Sequence, residues 1–327
     1  MSSNDNSVIE WLLASDPSIR WQVMRDLLAK PATEWSAERA KVETEGWGAA
    51  LLAHQDADGQ WAGGAYWPRD LAAGEEQQLG QPWTATSWAL DQLVEFGLDP
   101  GSDSARRTVA LVGANARWEE GGQPFWQGET EECINGRTVA AGAYLGADVA
   151  GVVARLLGAT MAEGGWNCHS ERGSVRASFA STLAVLEGLV AYERATGGGT
   201  EASVAARRAG EEYLLRRHLF RRLTTGQPAD DKFLMLIHPA RWRYDVLRAL
   251  EYFRSASILT GEPPDDRLEE AVRHVRSKRG EDGRWTADWA LPGRTWFRMD
   301  DGPGHPSPWL TLYALRVLKW WDDSRAK

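Results

Sequence analysis

Carboxyl groups, thiols and loop aromatics are the residues of this 327-residue chain best placed to do chemistry. The acidic candidates Glu131, Glu132, Glu171, Asp245, Asp300 and Asp301 fall in loops or at the first turns of apolar helices. Asp245 ends the run Trp242-Arg243-Tyr244-Asp245 at the head of one such helix. Burial beside aromatics would raise its pKa and make it a general acid. Its plainer role is that of a helix-start carboxylate bonded to backbone N–H groups, or paired with Arg243 or Arg248. Asp300 and Asp301 stand in a long Gly/Pro loop with His305 and offer a second acid, although Asp-Asp-Gly is also ordinary turn chemistry.

Cys133, Cys168 and His169, with His238 as a fourth donor, are the candidate metal ligands, and thiolate with imidazole suits zinc. Against that stands the reading of two buried, inert thiols, with no cofactor expected. Arg172, Arg176, Arg241 and Arg243 are candidates to hold a diphosphate or carboxylate, or to pair with surface acids. Trp83, Trp242, Trp296 and Trp309, with Tyr244, stand near helix starts, where an aromatic face can meet a carbocation, an ammonium or a sugar ring. Asp265-Asp266-Arg267-Leu268-Glu269 has the look of a magnesium–diphosphate motif. It follows Pro263-Pro264 at a helix start, where acids cap and complement the dipole.

A repeated element must position these groups. Gln55-Asp56-Ala57-Asp58-Gly59-Gln60-Trp61 ends one helix in a glycine turn and delivers a tryptophan; Pro82-Trp83-Thr84-Ala85-Thr86-Ser87-Trp88 then leads into an apolar helix. The pattern returns at Glu163-Gly164-Gly165-Trp166 before Ser178–Leu183, and at Asp282-Gly283-Arg284-Trp285 before Pro308–Leu315. A weaker copy, Glu120-Gly121-Gly122 with Trp126, precedes Cys133-Ile134-Asn135-Gly136. Trp61, Trp166 and Trp285 are the expected turn anchors. Apolar residues recur at helical spacing, no stretch alternates like a strand, and about six hairpins repeat every 45–60 residues. Both helices of each hairpin are rich in apolar residues and no capping unit is evident. The expectation is therefore an all-α, single α/α toroid over 1–327, with an N-terminal hairpin at 1–31 and tryptophan-turn repeats over 45–322. Second helices would line an inner ring, with the loops at one rim of a central cavity.

A formal charge of −9 argues against a nucleic-acid partner. The polar N-terminus is not a signal peptide, and no apolar run approaches the ~20 residues of a membrane span. Two cysteines make no disulfide framework, so a reducing, cytoplasmic setting is expected. The 18 tryptophans exceed what a core needs and point to a repeat, an aromatic-lined cavity, or both.

Over residues 45–320 the chain resembles the squalene-cyclase and protein-prenyltransferase superfamily of α/α toroids. Gln55, Gly59 and Trp61 match that family's tryptophan turn; at the later turns the glutamine position holds Thr160 and Arg279. The resemblance implies a terpenoid-cyclase-like or isoprenoid-handling protein with an apolar small molecule in its cavity. The family's Asp-x-Asp-Asp-Thr-Ala acid motif is absent, since Leu79-Gly80-Gln81-Pro82-Trp83-Thr84 stands at its place. The acid would then be a non-standard one, Asp245 or the Asp300-Asp301 pair. The prenyltransferase zinc set of aspartate, cysteine and histidine has no counterpart at the family's spacing. Lanthionine-cyclase toroids use a cysteine with an adjacent Cys-His pair, to which Cys133 and Cys168-His169 are similar, without the glycine that follows there. One scaffold hosts unrelated sites, so two alternatives stand beside the isoprenoid reading. One is a non-catalytic ligand-binding or interaction protein; the other is a carbohydrate-active or zinc-dependent enzyme with paired carboxylates or a metal.

Overall fold

Apolar residues at helical spacing, punctuated by glycine and proline, build helices throughout. The computed structural model describes residues 3–170 and 172–326. In chain order these form α1 (Ser3–Leu13), α2 (Pro17–Gln22), α3 (Ala32–Ala40), α4 (Gly46–Ala53), α5 (Glu75–Leu79), α6 (Thr86–Phe96) and α7 (Asp103–Asn115). There follow α8 (Glu132–Leu145), α9 (Ala150–Gly158), α10 (Phe179–Ala195), α11 (Glu201–Leu215), α12 (Val246–Thr260), α13 (Glu269–Ser277) and α14 (Pro308–Arg325). Among the described residues β-structure is confined to isolated bridges, so the fold is all-α. None of the helices is long and apolar enough to cross a membrane.

The helices fall into two compact units: residues 1–49, 214–291 and 298–327 form one, and residues 50–213 with 292–297 the other. In the first unit Asp16 and Pro17 begin α2 as the capping rule predicts: Asp16 Oδ1 accepts the Ser18 N–H at 2.8 Å. The other carboxylate oxygen accepts the Trp47 N–H at 2.8 Å, so one side chain holds the starts of two helices. Asp265 likewise caps a 3-10 turn ahead of α13, accepting the Arg267 N–H at 2.8 Å, which is the capping role expected of that acidic run. A charge network of Arg316, Arg254, Glu251 and Asp26, each about one-tenth exposed, knits α14 to α12 and to the turn after α2. Each of these charges has opposite partners, as burial requires.

In the second unit α8 and α10 lie almost backbone to backbone. A Cβ on Gly136 would run into the Ala184 carbonyl, and one on Gly188 into the Gly136 carbonyl. Only residues without a side chain permit that approach, and it fixes the two helices that carry the site described below.

The tryptophan turns are three copies of one hydrogen-bonded knot. Trp61, Trp166 and Trp285 are all fully buried. Each indole N–H donates to the carbonyl ten residues earlier, on the preceding helix: Leu51 at 2.8 Å, Leu156 at 2.7 Å and Val275 at 2.7 Å. Each backbone N–H donates to a threonine hydroxyl on the following helix: Thr86 at 3.1 Å, Thr182 at 3.1 Å and Thr311 at 3.0 Å. The turn glycines Gly59, Gly164 and Gly283 sit at φ of 80–89°, where a side chain would be strained. Gln55 Nε2 braces the first turn by donating to the Gly59 carbonyl at 2.9 Å. Arg279 does the same in the last, its Nε donating to Gly283 at 3.1 Å while the guanidinium lies over Trp285. In the weaker copy Trp126 takes the anchor role, its indole reaching the Val109 carbonyl on α7 at 3.1 Å.

Candidate functional site

A helix start and a loop turn carry the acidic candidates of the first unit. The helical pattern beginning at Trp242 becomes regular α-helix only at Val246, which leaves Asp245 as the N-cap of α12. Asp245 is 2% exposed and accepts the Arg248 N–H at 2.9 Å. Burial lifts its pKa to about 6, against the opposing pull of that N–H and of the charges on Arg248 and His238. Tyr244 turns the other way: its hydroxyl donates to the Leu219 carbonyl at 2.6 Å and its ring packs edge-on against Phe233. The Arg243 guanidinium lies over Trp242, at 4.5 Å, and over Trp289, at 5.3 Å. Trp309 is fully buried, stacked against Trp47 and against His238 with ring centroids 6.2 and 5.2 Å away. Asp300 Oδ1 accepts the Gly302 N–H at 3.0 Å in a local turn, while Asp301 and His305 are exposed.

In the second unit Trp83 and Trp296 fasten residues 292–297 in place. The Trp83 indole donates to the Pro292 carbonyl at 2.9 Å, and the Trp296 indole donates to Thr84 at 3.1 Å while its ring stacks on His54. Arg172, Arg176 and His169 are exposed on the loop before α10; Glu171 lies outside the described residues.

Cys133 and Cys168 do converge. They sit 35 residues apart, one at the second position of α8 and the other two residues beyond Trp166. The local sequence explains both placements. Asn135 clamps the loop ahead of α8, accepting the Glu129 N–H at 2.7 Å and donating to the Glu129 carbonyl at 2.7 Å. Asn167 shapes the other loop by donating to Ser174 Oγ and to the Arg176 carbonyl. Ser170 Oγ then donates to Glu132 Oε1 at 2.6 Å, joining that loop to α8.

At the centre Cys168 Sγ accepts the Cys133 N–H at 3.1 Å and the Ser181 hydroxyl at 3.2 Å. The Cys133 N–H is one of the donors left without an intrahelical partner at a helix start, and the dipole there favours negative charge. A hydrogen bond from the Cys133 thiol comes first among the causes that draw the Cys168 pKa below the usual range, and Ser181 adds to it against burial. The same hydrogen bond holds Cys133 in its protonated form and pushes its pKa well up, with burial and the Glu131 charge contributing. Glu131 Oε2 lies 3.7 Å from Cys133 Sγ, as a second acceptor for that thiol proton. The arrangement thus sets a cysteine whose pKa is drawn down beside one whose pKa is pushed up, next to a carboxylate, with both cysteines half-buried.

Ligand atoms of Glu131, Cys133 and Cys168 all lie within 4.8 Å of one another. Neither His169 nor His238 belongs to this cluster among the described residues. A small cleft adjoins it, lined by Tyr66, Ser87, Asp91, Ile134, Arg137 and Thr138, with room for about one water molecule. Ser87 Oγ is buried there without a hydrogen-bond partner, and burial raises the pKa of Tyr66. Ser181 is the participant that sequence reasoning passed over. The spacing Ser178-x-x-Ser181 at a helix start was the available signal: Ser178 caps α10 by accepting the Ser181 N–H at 3.1 Å, and its hydroxyl donates to Ser181 Oγ at 2.9 Å.

No protein-family model matches the chain, and no curated protein matches it. Among solved structures it is similar to a crystal structure of a protein from Actinoplanes, at 18% identity over 96% of this chain and 91% of that one, with a TM-score of 0.46.

Proposed function

We propose that the protein acts through thiol chemistry in its second unit, with Cys168 as the nucleophile. The observation that carries this reading is the convergence on Cys168 Sγ of the Cys133 N–H and the Ser181 hydroxyl, at 3.1 and 3.2 Å. Both donors stabilise a thiolate more than a thiol, which is how reactive cysteines are set apart from inert ones. Cys133 supplies a third donor, and Glu131 is the group that can take up the proton Cys133 gives away. These donors favour the charged form of the attacking sulfur without a histidine base, and both cysteines are half-buried, so the probe must be a small electrophile.

The test is the rate of alkylation by iodoacetamide, followed by intact mass and peptide mapping across a pH series. Cys168 is expected to react first, with a midpoint below the ~8.5 of a free cysteine, and Ser181→Ala is expected to raise that midpoint. Equal, slow labelling of both thiols with an ordinary midpoint would overturn the reading. A metal that co-purifies and blocks labelling until it is chelated would replace it with a metal-centred one, for which the same three donors are suited.

A further inference from the structure

Nucleophilic cysteines act alone on most electrophiles, and the structure supplies this one with a second sulfur within 4.8 Å. Cys133 offers both its backbone N–H and its side chain to Cys168. A backbone nitrogen 3.1 Å from the opposing Sγ brings the roughly 4.4–6.8 Å Cα separation of a disulfide within reach without large backbone motion. Neither cysteine is fully buried. The proton on Cys133 has an acceptor in Glu131 Oε2 at 3.7 Å.

We propose that Cys133 and Cys168 form an exchange-active dithiol whose substrate class is the small dialkyl disulfide, with Cys133 as the resolving thiol. The proposal rests on Cys168 being the reactive sulfur. In the first step Cys168 sulfur attacks one sulfur of R–S–S–R; a Cys168–S–R mixed disulfide forms and RS⁻ leaves. In the second step Cys133 gives its proton to Glu131 and attacks Cys168 Sγ. The Cys133–Cys168 bond forms and the second RS⁻ departs. The two thiolates take up the two protons that the protein thiols release, one directly from solvent and one by way of Glu131. The protein dithiol is oxidised by two electrons and the small disulfide is reduced to two thiols, so atoms and electrons balance.

The bond would join the first turn of α8 to the loop that follows Trp166. Ser170 Oγ already holds that loop to Glu132 Oε1, so closure adds a covalent tie to elements that are neighbours in the reduced form. A half-buried disulfide that only ties elements already in contact is expected to be reversible.

The experiment treats the full-length reduced protein, wild type and the variants Cys133→Ser and Cys168→Ser, with oxidised glutathione, and follows intact mass with time. Wild type is expected to pass through a transient glutathione adduct and end lighter by two hydrogens, with Cys133 and Cys168 in one disulfide-linked peptide pair. Cys133→Ser is expected to keep the adduct on Cys168, and Cys168→Ser to gain none on the same timescale. Stable adducts on wild type, with no internal disulfide, would overturn the dithiol proposal even if Cys168 alkylates rapidly and remains the nucleophile. An unreactive Cys168 in the alkylation series would remove the nucleophile itself, so the two failures are told apart. Circular dichroism of each variant checks that an absent adduct does not reflect unfolding; a folded Cys168→Ser that modifies as fast as wild type also refutes the scheme.

Discussion

Replacing Asp245 by asparagine should make the protein more stable at neutral pH, and the gain should vanish in acid. The carboxyl is 2% exposed at the start of α12, and its pKa stands near 6 in the fold against an ordinary 3.8. A group whose pKa is raised on folding adds stability that is fully present below the unfolded value and is lost as pH rises through the folded one. Here the window runs from about pH 4 to pH 6, and at ~1.4 kcal/mol per pH unit the loss comes to about 3 kcal/mol above it. That amount already includes the help given by the Arg248 N–H and the nearby charges. Asparagine keeps the shape and the oxygen that accepts the Arg248 N–H at 2.9 Å, so Asp245→Asn imitates the protonated acid at every pH. Alanine leaves that N–H without its cap and should fall about 1 kcal/mol below asparagine throughout. Urea unfolding of wild type, Asp245→Asn and Asp245→Ala at about pH 3, 5 and 8 measures all three differences. The wild type and Asp245→Asn should coincide near pH 3 and separate between about pH 4 and 6. A constant difference across the series, or an asparagine variant less stable at pH 8, would refute the argument from burial. The expected outcome also bears on function, because a carboxylate kept at a cost to stability belongs to the class of groups from which acid catalysts are drawn.

The same reasoning extends to the turns and the thiols. Thr182→Val should cost about 1–3 kcal/mol, since it leaves the buried Trp166 N–H without its acceptor at 3.1 Å; thermal melting of Thr182→Val beside Thr182→Ser isolates the hydroxyl. Arg279→Gln should be close to neutral and Arg279→Ala lower by about 1 kcal/mol, because glutamine can restore the hydrogen bond to the Gly283 carbonyl that Gln55 makes to Gly59; chemical unfolding checks both. Gly136→Ala should destabilise by about 1–3 kcal/mol and slow labelling of Cys168, since the added methyl meets the Ala184 carbonyl where α8 and α10 touch; melting and alkylation rates read the two effects separately. Glu131→Gln should leave the first alkylation of Cys168 nearly unchanged and slow release of glutathione from its adduct, followed by mass spectrometry, because it removes the acceptor at 3.7 Å from Cys133.

The sequence made the fold more legible than the site, for physical reasons. Helical period, proline at helix starts and glycine at turns are local signals. The all-α character, the glycine turns and the three anchoring tryptophans follow from them. Helix starts were less exact where aromatics precede an acid. Trp242–Tyr244 satisfies the apolar period, yet the chain is extended at Asp245 because the side chain takes the capping bond. The equivalence of Gln55 and Arg279 was hidden too, since a shared hydrogen bond to a carbonyl leaves no trace in residue type. Cysteine convergence was the largest gap. Cys168 lies ten residues before Ser178, the cap of α10, and only the close approach of α8 to α10, made possible by Gly136 and Gly188, carries it to the start of α8. No one-dimensional spacing encodes a contact made by two glycines on different helices.

The site in turn inherits its geometry from the repeating turn. The Trp166 knot bonds to Thr182 through the backbone N–H and receives the Ser178 N–H on its carbonyl at 2.9 Å. That pins the chain to the first turn of α10 immediately before Cys168. Ser181, next to Thr182 on the same turn, can then accept the Cys168 N–H at 3.2 Å and donate its own proton to Cys168 Sγ. Loss of the knot should therefore disturb the sulfur as well as the core, whereas loss of Ser181 should disturb the sulfur alone. The corresponding turns at Trp61 and Trp285 bond to Thr86 and Thr311 in the same way, but Ala85 and Leu310 precede those threonines where Ser181 precedes Thr182. Neither can offer a hydroxyl, and Gly63 and Ala287 stand where the Trp166 copy has Cys168. One fastening device thus recurs three times, and in a single copy two substitutions at its edge, a serine and a cysteine, turn a structural knot into a place where a thiolate can be held.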